Sequence, residues 1–203
     1  MGMIRRWHPA LLTALLAGCA AESAYDPMSD YEELQSTTVV DAPSPVAGNF
    51  APENRYLVER GEYLVELLGC GGCHTDGALE GAPHTGKALA GSSIGIAYMN
   101  PFNNDRPGVV YPSNITPDPE TGIGEWSDNQ IAAAVRSGLG RHMSRRIAVM
   151  PWQGYAKLTD EDTNAIVAYL RSIRPVRNKV PKEVKPGERA SAPFVYFGTY
   201  RSH

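Results

Sequence analysis

The chain has 203 residues, an ordinary apolar fraction of 42% and a formal charge of −3. This length predicts a single domain with tails, and the 20 glycines and 16 prolines predict long loops. The slightly acidic balance provides no basic footprint, which argues against nucleic acid as the main partner.

Residues 1–18 have the build of an export signal. Arg5 and Arg6 precede the apolar run Ala10–Ala17, and small residues follow. The run is too short for a membrane-spanning helix, and a positive flank, an apolar centre and a small-residue end are typical of a signal peptide. A buried N-terminal helix is the alternative interpretation.

The sequence "LAGC", which ends at Cys19, resembles the lipobox of bacterial lipoproteins. The resemblance implies cleavage before Cys19 and acyl chains on it. Each buried CH₂ of such a chain contributes about 0.8 kcal/mol to membrane binding. A plain secretory signal with an unrelated cysteine is the alternative. Ala20 and Ala21 stand where an aspartate would imply retention at the inner membrane, so they favour the outer membrane, facing the periplasm. Residues 19–50 are acidic and aperiodic, which predicts a flexible tether.

A folded domain is predicted over residues 51–178. Its first helix, "ENRYLVERGEYLVELLG", repeats leucine at helical spacing and ends at Gly69. Gly61 inside this helix costs about 1 kcal/mol relative to Ala, so it needs a reason such as the close approach of another helix. Residues 75–124 then lose regular periodicity and are rich in Gly, Pro and Asn. A loop of this length is usually functional or wrapped around something.

Two further helices have clear start signals. "SDNQIAAAVRSG" begins at the N-cap Ser127, has Gln130 three residues later and ends at Gly138. "TDEDTNAIVAYLRSIRP" begins at the N-cap Thr159, with acids in its first turn and arginines at its end. Residues 179–203 form a Pro- and Lys-rich C-terminal tail that is predicted to lie on the surface or reach a partner.

Four kinds of site compete for the motif "CGGCH", Cys70 to His74. A structural disulfide would leave His74 unexplained. A zinc site needs four ligands, and the chain has no second cysteine pair. A thioredoxin-like redox pair opens a helix after a strand, whereas this pair follows a helix. The remaining hypothesis, C-x-x-C-H haem attachment, explains all three residues, since each thiol can bond one vinyl group and the histidine can ligate the iron. Export supports it.

A sixth iron ligand is expected because an open position would invite oxygen or peroxide chemistry, whereas a thioether closes the site and raises the potential. Met150 is the predicted ligand, since it lies in "AVMPW" shortly before the last helix. Met143 and Met99 are the methionine rivals, and Met28 lies in the tether. His142 is the rival of another type, because bis-His ligation would make a low-potential carrier.

These elements together resemble the small soluble-type cytochrome c fold. More narrowly, "NITPDPETGIGEWSDNQIAAAVRSG" followed by "MPWQGYAKLTDEDTNAIVAYLRSIRPV" looks like the cytochrome c subunits of bacterial membrane-bound alcohol, aldehyde and gluconate dehydrogenases. The resemblance covers roughly residues 55–178. Those subunits usually carry three haem modules, whereas this chain has one C-x-x-C-H. The resemblance implies an all-α fold, with crossing N- and C-terminal helices and long Gly/Pro-rich loops around the haem.

The resemblance also implies roles for individual residues. Cys70 and Cys73 would be the thioether anchors, His74 the proximal ligand and Met150 the distal ligand. Gly61 would meet the C-terminal helix near two positions, Tyr169 and Leu170.

Other side chains are weaker candidates for the haem environment. Trp126, Trp152 and Tyr155 are expected near the haem or its propionates, with core packing as the alternative. Residues 114–116 would belong to the loop over the ring. Arg106 would pair with a propionate or would simply be solvated.

The sequence therefore predicts a lipid-anchored, monohaem c-type cytochrome that cycles one electron between ferrous and ferric iron without transforming a substrate. Its expected partners are redox proteins, a dehydrogenase donor and an oxidase or cytochrome acceptor, and its acidic surface favours a basic docking patch. Two alternatives are a haem subunit that stays permanently on a periplasmic dehydrogenase, and a peroxidase or gas sensor whose distal methionine is displaced.

Overall fold

The computed structural model describes residues 40–141 and 149–198. Within them the chain forms five α-helices and a three-stranded sheet. The helices are α1 (Arg55–Leu67), α2 (Cys70–His74), α3 (Asp128–Ser137), α4 (Trp152–Tyr155) and α5 (Asp160–Ser172). The strands are β1 (Gly95–Ala97), β2 (Val109–Val110) and β3 (Phe194–Tyr196), and 3₁₀ turns lie at Pro52–Asn54, Ala78–Glu80 and Thr85–Lys87. None of the helices in these two stretches is long and apolar enough to cross a membrane.

The predicted helix starts are confirmed at α3 and α5. Ser127 and Gln130 form a reciprocal capping box, in which the Gln130 N–H donates to Ser127 Oγ and the Ser127 N–H donates to Gln130 Oε1. Gly138 ends α3 with φ of 63°, a left-handed conformation that glycine adopts without strain. At α5 the Thr159 hydroxyl accepts from the Asp162 N–H. These local contacts satisfy donors that a helix N-terminus otherwise leaves unpaired.

Helices α1 and α5 pack directly against each other, and Gly61 lies at their closest approach. A Cβ at this position would come within 2.0 Å of the Ala165 carbonyl oxygen and 2.6 Å of the Tyr169 Cβ. The expected approach of Gly61 to the C-terminal helix is therefore confirmed. The phenol of Tyr169 donates to the Pro43 carbonyl at 2.7 Å, which ties the segment before α1 to α5.

The main hydrophobic core forms where α1, α3 and α5 meet. Its members are buried aliphatic side chains and one tyrosine: Val58, Leu64, Val65, Leu89, Ile123, Ile131, Ala165, Ile166, Val167, Tyr169, Leu170 and Ile173. A second, smaller cluster lies under the sheet and joins Leu79, Ile94, Ile96 and Val195. Each cluster is in contact with one cysteine: Cys70 packs against the first cluster and Cys73 against the second.

The prediction of an all-α fold is wrong, because the chain also builds a mixed sheet in the order β2-β1-β3. Strand β1 pairs antiparallel with β2, with Ile96 opposite Val110, and parallel with β3, with Ile96 opposite Val195. The first two strands come from the long loop 75–124 and the third from the C-terminal segment. Each strand has only two or three residues. The pairing of β1 with β3 joins segments that are distant in sequence.

The segment after α5 returns across the long loop rather than leaving the domain. The Val176 carbonyl accepts from the amide of Asn114, and the Asn178 amide donates to the Ala90 carbonyl at 3.0 Å. Further along, Val184 pairs with Val109 before β3 completes the sheet. The C-terminal segment therefore holds the loop from outside.

Candidate functional site

One large cavity lies between the helical core and the small sheet. Its volume is about 1370 Å³, which includes solvent at its mouth, and its lining is almost entirely apolar. Helices contribute the end of α1, α2, α3 and α5 to its walls. The remaining walls are formed by β1, β2 and the chain that follows β2, and by the stretch Val149 to Tyr155. A cavity of this kind suits a large, flat and mostly apolar group.

Both cysteines and the adjacent histidine line this cavity. Gly69 has φ of 66°, so the chain turns sharply after α1 and begins the short helix α2 at Cys70. Cys70, Cys73 and His74 all belong to α2 and to the cavity wall. No disulfide joins Cys70 and Cys73.

The thiols are not poised for thioredoxin-like redox chemistry. Burial raises the pKa of Cys70 to about 11, and burial also raises the pKa of Cys73. Reactive thiols of redox pairs have lowered pKa values instead. At neutral pH these cysteines are therefore protonated.

His74 is oriented by the loop that faces it. Its Nδ1 lies 2.7 Å from the Ser113 carbonyl oxygen. Because a carbonyl only accepts, Nδ1 must carry the proton, and the lone pair is then on Nε2. A backbone carbonyl in this position is the usual device that fixes the tautomer of a metal-ligating histidine.

Met150 lines the same cavity as the C-x-x-C-H motif. It is followed by Pro151 and α4, and its carbonyl accepts from the Trp152 N–H at 2.8 Å. Met99 is not part of the cavity wall. The rivals His142 and Met143 lie outside the described residues, as do Met28 and Cys19.

The residues present fit a covalently attached haem. Two thiols, one imidazole nitrogen with a defined lone pair and one thioether share an apolar cavity, and these are the donors that such a group uses. The described part of the chain contains no group of three or more His, Cys, Asp or Glu residues placed to hold a metal ion.

Comparison with known proteins supplies the family. The Cytochrome c family profile matches residues 58–174. The chain belongs to the cytochrome c family. Proteins of this family carry covalently bound haem c, so the cofactor predicted from the motif agrees with the family.

Three similar proteins are named as parts of dehydrogenases. A nicotinate dehydrogenase subunit of Pseudomonas putida is 38% identical over 125 residues, 62% of this chain and 9% of that protein. The cytochrome c subunit of the quinone alcohol dehydrogenase of Gluconobacter oxydans is 35% identical over 128 residues, 62% of this chain and 24% of its own length. The gluconate 2-dehydrogenase cytochrome c subunit of Pantoea cypripedii is 36% identical over 124 residues, 61% of this chain and 25% of its own length. The chain thus spans a quarter or less of these relatives.

The predicted resemblance to cytochrome c subunits of alcohol and gluconate dehydrogenases is confirmed by these similarities. The aromatic candidates Trp126, Trp152 and Tyr155 line the cavity, and Trp126 also packs against the main hydrophobic core. Tyr155 donates to the Leu68 carbonyl at 3.1 Å, and burial raises its pKa to about 12. Tyr155 therefore joins α4 to the end of α1 across the cavity.

Trp152 has one feature that the sequence does not reveal. Its indole Nε1 is buried and has no hydrogen-bond partner, and no other buried side-chain N or O atom of the described residues lacks one. Leaving such a donor unsatisfied costs about 1–3 kcal/mol.

Of the two loop candidates Asn114 and Arg106, only Asn114 is part of the cavity wall. Asn114 lines the cavity, and its side chain also bonds Thr116 and Val176. Arg106 is exposed and is not part of the cavity wall. Its carbonyl instead accepts from the Gly187 N–H.

Several residues of the cytochrome c site are absent from the sequence-based prediction. Ile96, Val110 and Tyr111 line the cavity from the sheet side. A two- or three-residue strand has no periodicity to detect, so only the Val-Val-Tyr composition pointed to it. The Ser113 carbonyl that orients His74 has no side-chain signature.

Arg171 on α5 holds the loop that carries Trp126. Its guanidinium donates to the carbonyls of Ile123 and Gly124 at 3.2 and 3.1 Å and also to the Trp126 carbonyl. It forms an ion pair with Asp128 at 3.0 Å. Because Ile123 and Trp126 both line the cavity, one side chain links α5, the cavity wall and the start of α3.

Proposed function

We propose that this chain is a c-type cytochrome that carries one covalently bound haem c and transfers one electron at a time. The observation that carries this proposal is that Cys70, Cys73, His74 and Met150 line one apolar cavity. The family match supports the same chemistry, since it spans these four residues. The single C-x-x-C-H in 203 residues supports a count of one haem.

Each residue has a distinct task in this proposal. Cys70 and Cys73 form thioether bonds, and His74 and Met150 ligate the iron through Nε2 and Sδ. Haem c, when bound, supplies an iron that alternates between the ferrous and ferric states. The Ser113 carbonyl holds the imidazole in one tautomer and raises its basicity. The apolar walls keep water away, and a thioether ligand in such surroundings favours a high potential.

The first test is the visible and near-infrared spectrum of the oxidised holoprotein, compared with its Met150→Ala variant. We expect a low-spin spectrum with a weak thioether-to-iron charge-transfer band that Met150→Ala abolishes. The Met99→Ala variant is the matched control and should keep the band. Intact mass before and after iron extraction would count the haem groups.

Two other spectra would contradict parts of the proposal. A low-spin spectrum without the band would indicate a nitrogen ligand, with His142 as the first residue to replace. A high-spin spectrum would indicate an open iron position, and peroxide and diatomic gases would then be tested for binding. A high-spin spectrum would favour the enzyme or sensor alternative.

A second candidate function is favoured by the names of the relatives. We propose as the alternative that the cytochrome is a subunit of a periplasmic dehydrogenase complex and passes its electrons onward. The relatives named as dehydrogenase subunits support this candidate. Size-exclusion chromatography of the protein from its native membrane would separate the two cases, because a permanent subunit elutes with a partner at constant stoichiometry.

The proposed location is the periplasm, with a lipid anchor on a bacterial membrane and a preference for the outer one. Residues 1–18 would be the signal peptide. The tether predicted over 19–50 would end before Pro43, which accepts a hydrogen bond from Tyr169 of α5, and the cytochrome domain predicted over 51–178 would extend through β3 into the predicted tail 179–203. The sequence "LAGC" supports acylation at Cys19. Mass spectrometry of the mature N-terminus would test it, and Cys19→Ser should release the protein from membranes while its haem spectrum stays unchanged.

A further inference from the structure

Helix α1 carries an exposed apolar row beside an acidic row. Tyr56, Tyr63 and Leu67 expose 70%, 52% and 63% of their surface. At 100° per residue these three lie within a narrow sector of the helix, opposite the face that packs on α5. Large apolar side chains exposed in a row of this kind mark interaction surfaces more often than single exposed ones do.

The acidic row lies next to it on the same helix. Glu59, Glu62 and Glu66 follow each other at spacings of three and four residues, where like charges repel. Burial, followed by the charges of Glu66 and Glu59, raises the pKa of Glu62. Arg60 does not neutralise this row, because its guanidinium lies 2.9 Å from Asp162 of α5.

The apolar row is preorganised and adjoins the cavity. The guanidinium of Arg60 lies 5.7 Å above the ring of Tyr63, which holds the ring in place. Leu67 ends α1, and the next residues, Leu68, Gly69 and Cys70, line the cavity. The Leu67 end of the row is therefore next to the wall that holds Cys70.

We propose that this face of α1, the apolar row with its acidic flank, is the docking surface for a redox protein that presents an apolar contact surrounded by Lys and Arg. This proposal rests on the proposed function. Charge disfavours two other occupants of this face: residues 20–36 of this chain, which contain five acids and no base, and the α1 face of a second copy, which would bring a second acidic row. Three exposed side chains suit a small, transient contact, the class to which weak electron-transfer encounters belong.

The experiment is stopped-flow oxidation of the reduced full-length holoprotein by a strongly basic ferric c-type cytochrome, at several ionic strengths. One electron passes from ferrous iron in this protein to ferric iron in the probe, with no bond made or broken. We expect Glu59→Gln/Glu62→Gln to lower the second-order rate about tenfold at low salt and to weaken its salt dependence. Tyr63→Ser/Leu67→Ser should lower the rate at every ionic strength.

Matched controls remove the same charge or apolar surface elsewhere. Asp105→Asn/Glu183→Gln removes two exposed acids, and Phe197→Ser removes an exposed ring near the sheet. Both should react at the wild-type rate. Oxidation by ferricyanide at high ionic strength should be equal in all variants, because this small, strong one-electron oxidant needs no docking surface and its charge is then screened.

The outcomes separate the two proposals. A normal ferricyanide rate with unchanged basic-probe rates for both α1 variants, or with losses only in the controls, would overturn the docking proposal alone. A wild-type rate with the basic probe that does not fall as salt increases would also overturn it. A wild-type holoprotein that passes no electron even to ferricyanide would overturn the proposed function, and the docking surface with it.

Discussion

Replacing Gly61 with alanine tests the packing on which the cytochrome domain is built. A Cβ at Gly61 would lie 2.0 Å from the Ala165 carbonyl oxygen, 2.6 Å from its carbonyl carbon and 2.6 Å from the Tyr169 Cβ. All three obstacles are backbone or Cβ atoms, so no side-chain rotation relieves the clash. Helices α1 and α5 would have to move apart by more than about 1 Å to restore ordinary contact.

The expected cost follows from two opposing effects. Alanine favours a helix over glycine by about 1 kcal/mol. Overpacking typically costs about 1–3 kcal/mol and occasionally more, and separating α1 from α5 also loosens the core that contains Tyr169. We expect a net loss of about 2 kcal/mol in the free energy of unfolding, which lowers Tm by roughly 4–8 °C for a domain of this size.

Guanidinium denaturation of the holoprotein, followed by far-UV circular dichroism, measures this loss. The matched control is Gly154→Ala in α4, where an added Cβ meets no atom within 4 Å. That variant should be unchanged or more stable by up to about 1 kcal/mol. If Gly61→Ala were as stable as Gly154→Ala, the close packing of α1 on α5 would be refuted.

Two further predictions concern the loop between residues 116 and 128. Arg171→Gln removes the ion pair with Asp128 and the guanidinium donors to three carbonyls. It should therefore lower the free energy of unfolding by about 2 kcal/mol, and a loss in urea denaturation below about 0.5 kcal/mol would contradict the role given to Arg171. Asp118 accepts two hydrogen bonds from Thr121, which lower its pKa. Its stabilising effect is present above the unfolded pKa of about 3.9 and is lost as pH falls through the lower folded pKa. Asp118→Asn should therefore show a smaller fall in Tm than wild type when the pH is lowered from about 6 to below the folded pKa of Asp118. Equal falls in Tm would show that ionisation of Asp118 does not stabilise the fold.

The features that sequence could predict are those set by neighbouring residues. The capping box of Ser127 and Gln130 and the C-cap Gly138 are confirmed because each depends on contacts within four residues. Gly61 was predictable for another reason, since a glycine inside an otherwise regular amphipathic helix needs a close neighbour to explain it. The C-x-x-C-H motif belongs to the same class, because its chemistry depends on fixed local spacing.

The features that sequence could not predict depend on distant pairing. Ile96 and Val195 face each other in neighbouring strands although about 100 residues separate them. Strands of two or three residues carry no detectable alternation, so the sheet was missed and the fold was predicted as all-α. The contact between His74 and the Ser113 carbonyl was missed because any residue could supply that carbonyl.

The cysteine pair lies at the junction of two hydrophobic clusters, and this position links the fold to the proposed chemistry. Cys70 packs on the helical core and Cys73 on the cluster under the sheet, with the cavity between them. A group bonded to both thiols would join the two clusters through its own apolar surface.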